Sequence, residues 1–218
     1  MNEYIKSVSK SGLFKYLQEK DHEQAWHELN MAPRNYRNQQ IIYGQEDTIK
    51  RAGIVHTGLV KGERLHPEGT SSLAYYYAKG EVFAFEGALS GRKTSPLQLT
   101  ADGNTSVIFF DVQKVFTCSF EKQLTKGLME LLANDDIKKL YRIEVLSKKS
   151  LRDRIMTHFT MMAGRSDDTT FVIDMSREQL ANYLCVNRSA LSYELNEMKR
   201  EGIIDFEKRK YTILKKHI

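Results

Sequence analysis

The spacing of hydrophobic residues along this chain changes character more than once. Between Arg34 and Phe110, short runs rich in β-branched and aromatic residues (QQIIYG, GIVHTGLVKGERL, SLAYYYAKGEVFAF and NTSVIFF) alternate with turns holding Gly44, Gly58, Gly69, Gly80, Gly91 and Gly103. Several short strands at this spacing predict a β-sandwich or barrel. The first thirty residues read as helical, with Leu13, Tyr16 and Leu17 on one face. From Asp111 onward the period is helical. Leu124, Leu128, Leu131 and Leu132, then Ile137, Leu140 and Tyr141, recur at three- and four-residue steps. They predict one helix of about 25 residues, longer than is usual in a globular domain. Its apolar stripe has two readings: a cover for the barrel's own core, or a parallel seam against a second copy.

A further helix is predicted over Leu151–Ala163, followed by a polar loop GRSDDTT and a short strand FVID. In MSREQLANYLCVNRSALSYELNEMKREGII two short amphipathic helices flank Cys185-Val186-Asn187. Ser176 and Gln179 have capping-box spacing, and Asn187 is a good N-cap for the second helix. Leu180, Ala181, Tyr183 and Leu184 give the first helix an inner face, and Leu191, Leu195 and Met198 give one to the second. Arg188, Ser189, Ser192 and Tyr193 are left facing outward near the start of the second helix. In DFEKRKYTILKK two strand-like runs flank Lys208-Arg209-Lys210, which reads as a hairpin with a basic turn. The expected fold class is α+β, in three parts: a β-barrel over 1–118, a long helix over 119–148 and a winged helix-turn-helix over 149–218.

Composition narrows the function classes. With 41% hydrophobic and 10% aromatic residues the chain can build packed cores. It has no signal peptide at MNEYIKSVSKSGLFKYL and no run near the roughly 20 apolar residues of a membrane span, so a cytoplasmic protein without a membrane partner is expected. Its two cysteines, Cys118 and Cys185, are far apart. They exclude a disulfide framework, a zinc knuckle and an all-cysteine iron–sulfur cluster, and both are expected to be small buried hydrophobes. The net charge is +5, yet from Ser150 onward 12 Lys/Arg face 10 Asp/Glu, so DNA affinity must come from local placement of charge.

A helix-turn-helix places the first turns of its second helix in the major groove. Arginine there can hold guanine through two hydrogen bonds, and serine reads bases more loosely. Candidate base readers are therefore Arg188, Ser189, Ser192 and Tyr193, with Ser176 at the start of the first helix. Lys199, Arg200, Lys208, Arg209 and Lys210 are candidate phosphate contacts, which position without reading sequence.

The order barrel, long helix, winged helix resembles the bacterial regulator family that includes the cAMP receptor protein and FNR. The resemblance covers nearly the whole chain. SREQLANYLCVNRSALSYELNEMKREGII is similar to that family's DNA-reading segment, where an arginine opens the recognition helix, the place Arg188 takes here. Family members often follow it with glutamate and, five residues on, a second arginine; here those positions are Ser189 and Tyr193. The resemblance implies a cyclic-nucleotide-binding-like barrel of the cupin-like jelly-roll kind, a homodimer and a palindromic double-stranded operator. It also implies an effector site. Members that bind cyclic nucleotides carry a Gly-Glu pair and, about ten residues later, Arg followed by Ser or Thr, which hold ribose and phosphate. In GEVFAFEGALSGRKTSPLQLTADGNTSVIFF, Ser95-Pro96 falls where Arg-Ser is expected, so the candidate corner is Arg92, Lys93, Thr94 and Ser95 with Glu86 nearby. Cyclic AMP is not the expected effector, and no cofactor is expected.

Two other classes stay open. A cupin-type metal enzyme needs clustered ligands, and His56, Glu63 and His66 are the nearest approach, at the wrong spacing; His56 and His66 are also the only histidines considered as heme ligands. A regulator that needs no effector would use the barrel as a scaffold.

Overall fold

The structure, a computed structural model, describes residues 3–164 and 169–215; most of the GRSDDTT segment lies outside the described residues. It forms two compact units, 1–135 and 136–218. The N-terminal segment is not one helix but two short ones, α1 (Glu3–Val8) and α2 (His22–Glu28), linked by 3-10 turns at Gly12–Phe14 and Glu19–Asp21. Strands follow: β1 (Ala32–Tyr36), β2 (Ile41–Tyr43), β3 (Arg51–Leu65), β4 (Ser71–Tyr77) and β5 (Val82–Phe83). A five-residue helix α3 (Phe85–Leu89) then leads to β6 (Gln98–Asp111).

All six strands belong to one antiparallel sheet whose path runs β1-β6-β3-β4, with β2 also on β6 and β5 on β3. The path does not close into a ring. Two long strands, β3 and β6, carry most of the pairing, and their register shifts at Val55/Thr57 and Thr57/Leu59 bend the sheet around its core. This open, jelly-roll-like sheet is compatible with the jelly-roll barrel expected from sequence. β1 escaped the sequence reading because its APRNY has no apolar alternation; its burial pattern is mostly exposed. The interior is aromatic. Tyr77 lies 5.6 Å from Phe83, Phe83 lies 6.4 Å from Phe109, and Tyr36 and Tyr43 meet Phe109 edge-on at 6.3 and 6.2 Å.

The long helix α4 spans Glu121–Ser147, 27 residues, and the boundary between the two units falls inside it. Its leucine stripe is buried in one part and exposed in the other. Leu124 and Leu128 are buried in the first unit's core, whereas Met129, Leu132, Ile137, Leu140, Tyr141 and Ile143 are exposed.

The second unit holds α5 (Leu151–Gly164), β7 (Thr170–Val172), α6 (Arg177–Tyr183), α7 (Arg188–Arg200), β8 (Ile204–Glu207) and β9 (Lys210–Ile213). Its three strands order β7-β9-β8. Val145 from the end of α4 joins Ile155, Phe159, Leu180, Leu184, Leu191, Leu195 and Met198 in one core. Among the described residues no helix is long and apolar enough to cross a membrane.

Candidate nucleic-acid interface

Local chemistry sets both helices of the 176–200 segment. The capping box is present: Ser176 Oγ accepts from the Gln179 N–H at 3.1 Å, and Gln179 Oε1 accepts from the Ser176 N–H at 2.7 Å. Ser176 is therefore engaged in starting α6. Asn187 Oδ1 accepts from the Ala190 N–H at 2.7 Å and from the Ser189 hydroxyl at 2.8 Å.

Between them α6 ends in a Schellman motif, with Val186 N–H donating to Ala181 O at 3.0 Å and Cys185 N–H to Asn182 O at 3.1 Å. The residue at the hinge of that motif needs positive φ, which glycine adopts freely; here Cys185 takes it at φ +56°. α7 ends the same way, but with Gly202 at φ +67°. This corrects the expectation that both cysteines are buried: Cys185 is exposed and Cys118 half-buried. Burial pushes the Cys118 thiol pKa upward, away from thiolate reactivity. Replacing Cys185 by glycine is expected to stabilise the second unit by about 1 kcal/mol, since an L side chain in the left-handed region costs roughly 1–2 kcal/mol. Chemical denaturation of the two variants measures it, and an unchanged midpoint refutes the assignment of strain.

α5 holds the two helices in place through arginines that sequence reading did not single out. Arg152 donates to Glu194 on α7 at 2.6 Å and, through both Nη atoms, to Glu201 just past its end at 2.7 and 2.9 Å. Those carboxylates, Glu201 first, raise the Arg152 pKa. Arg154 Nη1 donates to the Leu184 carbonyl that ends α6, at 3.2 Å. Arg177, the first residue of α6, stacks over Phe206 at 4.9 Å and donates to the Tyr211 hydroxyl at 2.8 Å. It ties that helix to the hairpin. These partners cannot be guessed from spacing alone, because the contacts join residues 29 to 49 positions apart.

The candidate residues separate into two groups. Lys199 is committed to Asp205 at 2.6 Å, to the Phe206 carbonyl and to its ring, and it lowers the Asp205 pKa. Arg209 is paired with Asp174 at 2.5 Å, and Arg200 with Glu197. Arg188, Lys208 and Lys210 are exposed and make no ion pair among the described residues. The hairpin turn itself is Lys208-Arg209, with Lys208 at φ +54° and Lys210 already in β9. At 100° per residue, Ser189, Tyr193, Asn196 and Arg200 lie opposite the buried Leu191, Leu195 and Met198. Ser192, at the edge of that line, and Arg188, further round toward the buried row, lie on one side of it. Asn196 belongs to the outward face one turn beyond the residues named from sequence. Residues 136–218 hold 17 Lys/Arg against 12 Asp/Glu, which accounts for the chain's whole net charge of +5.

In the first unit, two residues of the corner read from sequence, Thr94 and Ser95, have partners of their own. Arg92 and Lys93 are exposed in the turn after α3, and Glu86 is half-buried within it. The Thr94 hydroxyl donates to Glu46 at 3.4 Å, and buried Ser95 donates to the Leu97 carbonyl at 2.5 Å. His56 meets the Tyr4 ring at a tilt, 4.7 Å between centroids, Glu63 pairs with Lys61 at 2.8 Å, and His66 Nε2 meets Ser72 Oγ at 2.7 Å. Among the described residues no group of three His, Cys, Asp or Glu is placed to hold a metal ion.

Comparison with known proteins agrees with this architecture. Residues 33–120 match the cyclic nucleotide-binding domain, and residues 153–217 match the Crp-like helix-turn-helix domain. Electron transport regulator A of Shewanella oneidensis is 23% identical over 181 residues, covering 81% of this chain and 72% of that protein. The transcriptional activator protein anr of Pseudomonas aeruginosa is also 23% identical over 181 residues, covering 80% of this chain and 73% of that one. Among solved structures, FixK2 from Bradyrhizobium japonicum superposes with a TM-score of 0.65 at 21% identity, covering 85% of this chain and 93% of that one. The relatives and both matched domains are those of regulators rather than enzymes. With a cyclic nucleotide-binding domain followed by a Crp-like helix-turn-helix, this chain belongs to the CRP/FNR family of transcription regulators.

Proposed function

We propose that this chain is a homodimeric, sequence-specific regulator that reads a palindromic double-stranded operator with α7 and answers to a small effector other than cyclic AMP in its N-terminal unit. The observation that carries the reading is the outward face of α7, free of unpaired carboxylates, together with the unpaired cations Arg188 on that helix and Lys208 and Lys210 on the hairpin that follows it. Arg188, Ser189, Ser192 and Tyr193 read bases, and Lys208 and Lys210 contact phosphate. Lys199, Arg209 and Ser176 act chiefly through the contacts that shape the reader. The exposed stripe Met129, Leu132, Ile137, Leu140 and Ile143 is the seam for a second copy, which makes 119–148 the dimer helix between a sensing domain (1–118) and a reading domain (149–218). Two-fold symmetry then sets half-sites about 10–10.5 base pairs apart, or a multiple of that. Such work is done in the cytoplasm, without a membrane.

Arg188→Ala is expected to lose about 1–3 kcal/mol of discrimination at one base pair per half-site, whereas Lys208→Ala weakens all duplexes alike and lowers the salt slope by about one per protomer. Binding to duplexes selected from a random pool, repeated over a salt series, measures both. If Arg188→Ala keeps affinity and preference, α7 is not the reader.

A second reading dispenses with the effector. It is favoured by the Ser95 hydroxyl being spent on Leu97 and by the aromatic rings that occupy the sheet's interior. A preferred duplex bound by ligand-free protein as tightly as by protein in cell extract supports it.

A further inference from the structure

Tyr193 is unlike the rest of α7's outward face. Ser189, Ser192 and Asn196 are small and polar, the usual composition of an exposed helix side. Tyr193 is a large aromatic ring, 68% exposed, and it makes no ring contact or hydrogen bond among the described residues. Its position is central. It lies opposite the buried Leu191, Leu195 and Met198, one turn after Ser189 and one before Asn196.

The surroundings restrict what can meet it. The two carboxylates on α7 are already held by arginines, Glu194 by Arg152 at 2.6 Å and Glu197 by Arg200 at 2.5 Å. Unpaired cations stand at Arg188, at the start of the helix, and at Lys208 and Lys210 on the hairpin. A surface with that charge pattern is suited to a polyanion. An apolar ring at its centre is costly to leave in water, and it gains where it meets another apolar group. Within the major groove only one base edge offers such a group, the C5-methyl of thymine.

We propose that Tyr193 is a specificity-determining residue that selects thymine at one position of each half-site by packing its ring against the C5-methyl group. This rests on the reading of α7 as the helix that enters the groove. The ring carbons supply the contact, so the hydroxyl is dispensable. Ring burial against the methyl also explains how a serine-rich reader with one terminal arginine can distinguish more than one base pair.

The test uses the full-length chain and duplexes selected by it from a random pool. Each thymine of the preferred duplex is replaced in turn by uracil, which removes the methyl and leaves the hydrogen-bonding edge intact. Wild type is expected to lose about four-fold in affinity per half-site at one symmetric position, the worth of roughly one buried carbon. Tyr193→Phe should keep that sensitivity. Tyr193→Ser should bind more weakly and become indifferent to uracil there. Since the side chain is exposed and unpartnered, neither substitution should shift the melting temperature, which checks that the fold is intact. If wild type is indifferent to uracil everywhere, or if Tyr193→Ser stays sensitive at the same position, the assignment to Tyr193 falls while α7 remains the reader. If no preferred duplex emerges, the reading of α7 falls and this proposal with it.

Discussion

Phe159→Ala is expected to cost the second unit about 3–5 kcal/mol, the range for removing a large aromatic side chain from a packed core. Phe159 is fully buried on α5. Its ring meets Phe171 of β7 at 5.3 Å and Tyr211 of β9 at 4.8 Å, so one side chain joins the helical layer to the three-stranded sheet. Removing it leaves a cavity between layers that cannot close without moving both strands. The hairpin bearing Lys208 and Lys210 depends on the same sheet, so DNA affinity should fall before the unit unfolds. Two optical probes separate the units. The chain's single tryptophan, Trp26, packs on the core of the first unit and reports on it alone. Helical circular dichroism reports on both. The expected result is an early loss of ellipticity, displaced by roughly 12 °C or more, with the Trp26 transition in place. Phe159→Leu should recover most of the loss. A Phe159→Ala protein whose ellipticity melts as wild type does would show that the core is not organised around this ring.

The converse experiment is Gly127→Ala. In the middle of a helix this exchange normally stabilises by about 1 kcal/mol, because glycine loses more backbone freedom. Here the expected sign is reversed. A methyl group at Gly127 would stand 2.5 Å from the Leu13 carbonyl oxygen and 2.9 Å from that of Gly12, both backbone atoms. The following side chains, Leu13 and Phe14, are buried in the first unit's core, so the backbone there cannot retreat freely. Side chains hold the same contact: Lys15 and Tyr16 both donate to Glu130, Tyr16 at 2.5 Å, and Lys126 stands 4.0 Å over the Tyr16 ring. Overpacking against a fixed carbonyl is expected to cost about 1–3 kcal/mol. Now the Trp26 transition should move to lower temperature. Gly164→Ala is the control, because nothing lies within 4 Å of a methyl group placed there, and it should be neutral or slightly stabilising. A stabilised Gly127→Ala protein would refute the close approach of the N-terminal segment to α4.

These two cases mark where sequence reading stops. Local rules fixed the second unit's helices in advance: the box at Ser176 and Gln179, the cap at Asn187 and the inner rows of leucines all act within four residues of chain. Adjacent positions carry enough information for that, and the family follows from their order. The strand-rich region was equally legible as a class, through its turns and branched residues, but β1 was not, because a mostly exposed strand has no apolar alternation to show.

What the sequence could not determine are the contacts between residues far apart in the chain. Only tertiary structure decided that the α4 stripe divides, Leu124 and Leu128 turning into a core while Leu140 and Ile143 face outward. Both halves share one helical period, and only the surface opposite them differs. The same holds for charge. Lys199 and Arg209 look equivalent to Arg188, Lys208 and Lys210 until Asp205 and Asp174 claim them. Glycine and cysteine at the two Schellman hinges give a last instance. The residue type announces the turn at Gly202, but at Cys185 only the folded backbone shows that a left-handed residue is required, since the two helices on either side must pack and the connection between them has no other course.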